Sequence, residues 1–250
     1  MVWHGERLFL TAYAGGDHIV YDPREPWSQL DNRNPIALEA VAPEYIRPET
    51  GSVRGPEGGI WTGWLAKYGT YGGCLTRVDP ETLEVARWDE PVPGHGLSRI
   101  AADHRYLYFT TGAHANGLPP AAGPFHLCVL RPDGSQVADL TLPEGILVRS
   151  MVAVGGILVA SVGDELLVFD PEHIAAYENV RLPEPVELLL ATDDGRALAF
   201  GEQRVHAFAP QTHTLTDSGE SPGRVRTGAV GPNGAVYVAS GLDLYRMARP

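Results

Sequence analysis

The residues of this chain best suited to chemistry are histidines, arginines and loop aromatics. His95, His114 and His126 lie within one short stretch of sequence. Imidazole titrates near neutral pH, so these side chains are candidates for a general base or acid. Arg54, Arg99, Arg149 and Arg226 fall near the expected starts of innermost strands, with Arg47 and Lys67 in adjoining loops. A guanidinium grips carboxylate or phosphate in bidentate fashion, so a cluster of them points to an acidic ligand. Trp64, Tyr68 and Tyr71 stand in a glycine-rich stretch where a strand core does not need them, which suits stacking on sugar rings. Asn116 lies in the long loop that follows.

Three functions are compatible with this set. The first is non-catalytic binding of an anionic carbohydrate or other acidic ligand by Arg54, Arg99, Arg149, Arg226, Lys67, Trp64, Tyr71 and Asn116. The second is a polysaccharide lyase, with Arg99 neutralising a uronate carboxylate, His114 or Tyr68 removing the neighbouring proton and His95 assisting the leaving oxygen. The third is a protein-interaction scaffold, whose face would be flat and apolar. A purely structural alternative pairs the arginines with Glu49, Glu144, Glu187 and Glu220 to hold neighbouring sheets in register.

Other chemistries lack their parts. The histidine spacing matches no His-Glu-x-x-His pattern, and Gly-x-Ser-x-Gly is absent. Acidic residues do not gather at the inner strand starts, where Glu187 stands nearly alone, so no metal site is expected. Cys74 and Cys128 are too few for a thiolate cluster and read as buried small hydrophobes. A formal charge of -12 argues against a nucleic-acid partner, because such binding relies on many Lys and Arg contacts to phosphate. Apolar runs such as 157–162 and 186–191 fall well short of the roughly 20 residues that cross a bilayer. The first residues do not resemble a signal peptide. A cytoplasmic location is the default expectation, or an exported one if an upstream signal has been removed.

The elements that must position these residues follow from a repeated phrase: a tight turn, an apolar strand, a second apolar strand ending in Asp-Pro or a relative of it, and a polar return. It reads Gly55-Pro56-Glu57-Gly58-Gly59-Ile60-Trp61 followed by Leu75 to Pro80, and again Gly231-Pro232-Asn233-Gly234-Ala235-Val236-Tyr237 followed by Asp243 to Arg246. The large residue after the turn recurs at Phe9, Trp61, Tyr108, Leu158, Leu198 and Tyr237. That spacing holds about four strands per interval. The expectation is an all-β protein, a β-propeller of four-stranded antiparallel blades. About six blades are visible, at roughly 1–45, 46–91, 92–143, 144–183, 184–221 and 222–250 of one domain, the first and last incomplete. An excerpt of a seven-bladed ring, with further domains of a longer chain, is the alternative. In the second blade the strands are expected at 51–54, 59–65, 73–78 and 83–88, and 171–177 is the one candidate for a short helical turn. Asp79-Pro80, Pro132-Asp133-Gly134 and Asp170-Pro171 read as hairpin ends, where Pro presets φ and Asp satisfies the turn's own N–H groups. Long irregular loops, chiefly 64–73 and 111–124, belong to the opposite face, where binding residues concentrate.

The phrases at 55–61, 75–80, 166–171 and 231–239 resemble bacterial propellers of the YVTN, NHL and quinoprotein-like type. The stretch from Gly58 to Pro80 and then Ser98 to Gly112 looks like propellers found beside carbohydrate-active domains. The resemblance implies a soluble bacterial propeller and a glycan setting. Only the second blade keeps a quinoprotein-like closing tryptophan, Trp88, so no quinone or other cofactor is expected.

Overall fold

A computed structural model of the chain describes residues 1–231 and 233–247. Pro232 of the repeated turn and residues 248–250 of the last expected blade lie outside the described residues. The described chain is almost entirely strand and turn, and forms two compact units, Met1–Gly145 and Ile146–Pro250.

The first unit contains three four-stranded antiparallel meanders. Sheet one comprises β1 (Val2–His4), β2 (Arg7–Ala12), β3 (Asp17–Tyr21) and β4 (Ile36–Ala37). Sheet two comprises β5 (Tyr45–Arg54), β6 (Ile60–Ala66), β7 (Gly73–Val78) and β8 (Val85–Asp89). Sheet three comprises β9 (Gly96–Ala102), β10 (Leu107–Gly112), β11 (His126–Leu130) and β12 (Gln136–Thr141). Neighbouring sheets pack through apolar faces. Phe9 and Val20 meet Ile60 and Val78 between sheets one and two, and Trp61 and Leu75 meet Leu97, Phe109 and Cys128 between sheets two and three. Burying a side chain of this size contributes about 1.5–3 kcal/mol, so these contacts outweigh any single turn.

The second unit repeats the pattern. Its sheets are β13 (Ser150–Val154), β14 (Ile157–Val162), β15 (Glu165–Phe169) and β16 (Glu178–Arg181), then β17 (Leu188–Ala191), β18 (Ala197–Phe200), β19 (Arg204–Ala209) and β20 (Thr214–Glu220). A three-stranded sheet of β21 (Val225–Val230), β22 (Val236–Ser240) and β23 (Asp243–Met247) follows among the described residues. Buried hydroxyls also tie its sheets together, with Ser150 Oγ accepting the Leu189 N–H at 2.9 Å. The third strands β7, β11, β15 and β19 are mostly buried, but β23 lies open: Leu244 is 74% exposed, whereas its register equivalent Leu75 is 0% exposed.

All six ruler residues lie on the second strand of a sheet. The turns also behave as read. Asp79 accepts the N–H groups of Glu81 and Thr82 at 2.9 and 3.0 Å, and these two bonds hold its carboxyl below the usual range. Asp103, Asp133 and Asp170 cap their turns in the same manner. Gly134 is required where it stands: its φ is +82°, and a Cβ there would lie 2.3 Å from the Trp88 ring. Trp88 in turn stacks on Trp61, ring centroids 5.1 Å apart. Segment 171–177 forms turns instead of a helix. Both cysteines are buried, and burial pushes their thiols up, which leaves them poor nucleophiles.

Candidate functional site at the loop end of the first unit

The first unit has two ends, one formed by tight turns and one by longer loops. The loop end joins β2 to β3, β6 to β7 and β10 to β11. Loop 67–72 is held in place by main-chain and side-chain bonds. Lys67 N–H donates to Glu44 O at 2.8 Å, and Gly69 N–H to Asn116 O at 3.0 Å. The Asn116 amide donates to Ala66 O at 2.6 Å, and Tyr71 hydroxyl donates to Pro119 O at 3.1 Å. Gly117, with φ +69°, lies under the Tyr68 ring, where a Cβ would come within 2.9 Å of it.

This bracing leaves aromatic faces in solvent. Tyr68 is 62% exposed, Tyr13 54% and Tyr71 39%. The Tyr13 and Tyr68 hydroxyls bond to each other at 2.7 Å, joining the first two sheets. That bond, the largest influence, raises the Tyr13 phenol above its ordinary value, while the Arg47 charge opposes the shift. Beside the tyrosines is a bridged ionic group. Glu49 Oε2 forms an ion pair with Arg47 Nε at 3.1 Å, and Glu49 Oε1 pairs with His114 Nδ1 at 2.7 Å. Sheet two thereby reaches the long loop of sheet three. Lys67 is exposed and makes no ion pair among the described residues.

The register of β5 creates the bridge. Its pairing slips between Pro48 and Ser52, so Glu49, Thr50 and Gly51 form a bulge opposite Gly63, whose N–H donates to Thr50 Oγ1 at 2.8 Å. A bulge re-aims side chains, and these features occur often beside functional sites. Pro48 is tolerated because β5 is the first strand of its sheet and needs no second ladder.

Several expected site residues are placed elsewhere. Trp64 is not a loop residue: β6 runs on to Ala66, and the indole is fully buried beside Val41, Tyr45 and Cys74. Its Nε1 donates to Thr76 Oγ1 at 2.8 Å, and the same hydroxyl bonds His18 Nε2 at 2.9 Å. Arg54 does not start its strand, because β5 begins at Tyr45; Arg54 ends it, paired with Ile60 at the turn end. Asn116 is buried, and its amide N–H is committed to the loop. Arg99 lies at the bulge of β9 and donates to Ser98 O at 2.7 Å. His95 packs against Phe125 and His126, centroids 6.2 and 5.7 Å away, and has no ring contact with His114 among the described residues. His126 bonds Asp139 at 2.7 Å. Tyr68, Tyr71 and Lys67 lie on loop 67–72 and His114 on the loop of sheet three that braces it, with Tyr13 bonded to Tyr68 and Glu49 bridging Arg47 to His114. The echo of Tyr13-Ala14-Gly15-Gly16 in Tyr71-Gly72-Gly73 was the sequence signal for Tyr13.

Arg149 and Arg226 belong to the second unit. Arg149 precedes β13 and donates its N–H to Ser161 O at 2.9 Å. Arg226 is exposed at a register slip of β21. Glu187 pairs with Arg224 at 2.8 Å instead of Arg226. Among the described residues no His, Cys, Asp and Glu group could hold a metal ion, and no helix is long and apolar enough to cross a membrane.

Among the described residues six antiparallel sheets in succession, each a simple meander packed on its neighbour within its unit, define a six-bladed β-propeller. Solved structures agree in fold. A catalytically inactive virginiamycin B lyase from Staphylococcus aureus with quinupristin matches with a TM-score of 0.66 at 11% identity, over 93% of this chain and 73% of that one. A gluconolactonase from Xanthomonas campestris matches at 0.60 with 12% identity, over 98% and 82%. The extracellular domain of a B. thetaiotaomicron protein described as a one-component system matches at 0.62 with 12% identity, over 99% of this chain but 32% of its own. Neither a protein-family model nor the sequence of a curated protein matches the chain. Identities this low establish the fold alone.

Proposed function

We propose that the protein is a ligand-binding propeller whose first unit takes an acidic carbohydrate at its loop end. One observation carries the reading: Tyr13, Tyr68 and Tyr71 stand in solvent on loops braced by Asn116 and Gly117, with Lys67 and Arg47 beside them. Exposed rings held rigid lose little freedom when a sugar stacks on them, and a neighbouring ammonium or guanidinium selects a carboxylate-bearing sugar. The resemblance to propellers beside carbohydrate-active domains points the same way.

The test is retention on immobilised polygalacturonate, alginate and hyaluronan. The protein is expected to be retained by at least one of them and released by salt, since charge is part of the grip. Tyr68→Ala and Lys67→Ala should each weaken retention. Passage through all three columns without delay would defeat the proposal.

A further inference from the structure

The same loop end carries a base and an acid that simple binding does not use. Glu49 holds His114 by Nδ1, so the neutral ring carries its proton there and keeps its Nε2 lone pair outward. Nε2 has no partner among the described residues. The carboxylate favours the imidazolium that forms when Nε2 takes a proton, which is the ordinary use of a His–carboxylate pair. Arg47 fixes the other oxygen of Glu49 and so holds the carboxylate in place. The Tyr13–Tyr68 pair supplies phenolic hydroxyls bonded to each other, and Tyr68 rests on Gly117 of the loop that carries His114.

Resting on the acidic-carbohydrate reading above, we infer that this site also cleaves its ligand by β-elimination, with His114 as base, Glu49 as its positioning residue and Tyr68 as acid. Nε2 of His114 takes the proton from C5 of a uronate. The C–H electron pair becomes the C4=C5 double bond as the C4–O bond breaks. The departing oxygen keeps that bond's electrons and takes the Tyr68 proton. Solvent then accepts the proton from His114 and returns one to Tyr68. No oxidant or reductant enters. Lys67 lies on the same loop as Tyr68 and offsets the uronate charge, which makes the C5 proton more acidic.

Retention and elimination are measured side by side on polygalacturonate, alginate and hyaluronan, reading elimination as ultraviolet absorbance of the new double bond. A retained polymer is expected to give unsaturated product. His114→Ala should lower the rate by about a hundredfold or more while retention stays within a few-fold. Glu49→Gln should lower kcat with KM within a few-fold, because the ring loses the carboxylate that orients it, and Glu49→Asp should restore part of the rate. Thermal melts establish that each variant is folded. Retention without product overturns this inference and leaves the binding reading standing, whereas loss of both defeats that reading as well. Product formation that survives His114→Ala also overturns the assignment.

Discussion

The turn end and the loop end of the first unit use similar side chains for opposite purposes. At the turn end Asp79, Asp103 and Asp133 spend their carboxylates on neighbouring backbone N–H groups, and Arg54 stands there without an ion pair among the described residues. At the loop end Glu49 serves two side chains from different segments, Arg47 and His114, and Tyr13, Tyr68 and Tyr71 on the loops of that end stand exposed. Residue type alone therefore says little about function in this fold. What separates the two ends is whether a polar group is consumed by its own turn.

Substitutions that separate scaffold from site break or sharpen this contrast. The largest effect is expected from Trp64→Ala, which empties a fully buried site and strips Thr76 of a donor. A loss of about 3–5 kcal/mol in chemical denaturation is expected. A small loss of stability with a large loss of ligand retention would restore Trp64 to the site. Next, Tyr13→Ala combined with Tyr68→Ala should weaken carbohydrate affinity by roughly a hundredfold, about tenfold per ring, with the melting temperature nearly unchanged. Comparable retention by the double variant and the parent chain would place the ligand elsewhere. Gly134→Ala forces a side chain onto Trp88 at a positive φ and should cost about 1–3 kcal/mol without touching binding.

A smaller effect is expected from pH. Burial, its largest influence, lowers the pKa of His18, whose ring nitrogens meet Glu39 O and Thr76 Oγ1 at 2.9 Å each. In the unfolded chain this histidine takes a proton near pH 6.5, whereas the folded state resists until lower pH. Stability is therefore complete above about pH 6.5 and falls on acidification towards the lowered folded value, by at most about 1.4 kcal/mol per pH unit from this group. His18→Asn should flatten that part of the stability–pH curve. An unchanged slope would show that His18 is already charged in the fold. Arg54→Ala, at the turn end, should leave retention within a factor of about two.

The sequence was most legible where structure is decided locally. Turn chemistry at Asp79-Pro80 and Gly134, and large apolar residues such as Trp61 and Tyr108, located every sheet because φ preferences and strand burial act over a few residues. The site was half legible. Trp64 and Tyr68 look alike in the sequence, and only the point where β6 stops, past Ala66, separates a core indole from an exposed phenol. The first strand of the second blade is expected only from Gly51, yet β5 already begins at Tyr45 and takes in Pro48 by way of a bulge, which moves Arg54 to the far end and brings Glu49 to His114. Bulges depend on the partner strand, so the pairing of distant residues had to be seen.

Hydrogen exchange with and without a uronate oligosaccharide tests the contrast between the two ends most directly. Added protection is expected in segments 67–72 and 113–121, with turns 79–84, 103–106 and 131–135 unchanged. Protection confined to those turns, or absent from both loops at saturating oligosaccharide, would contradict it.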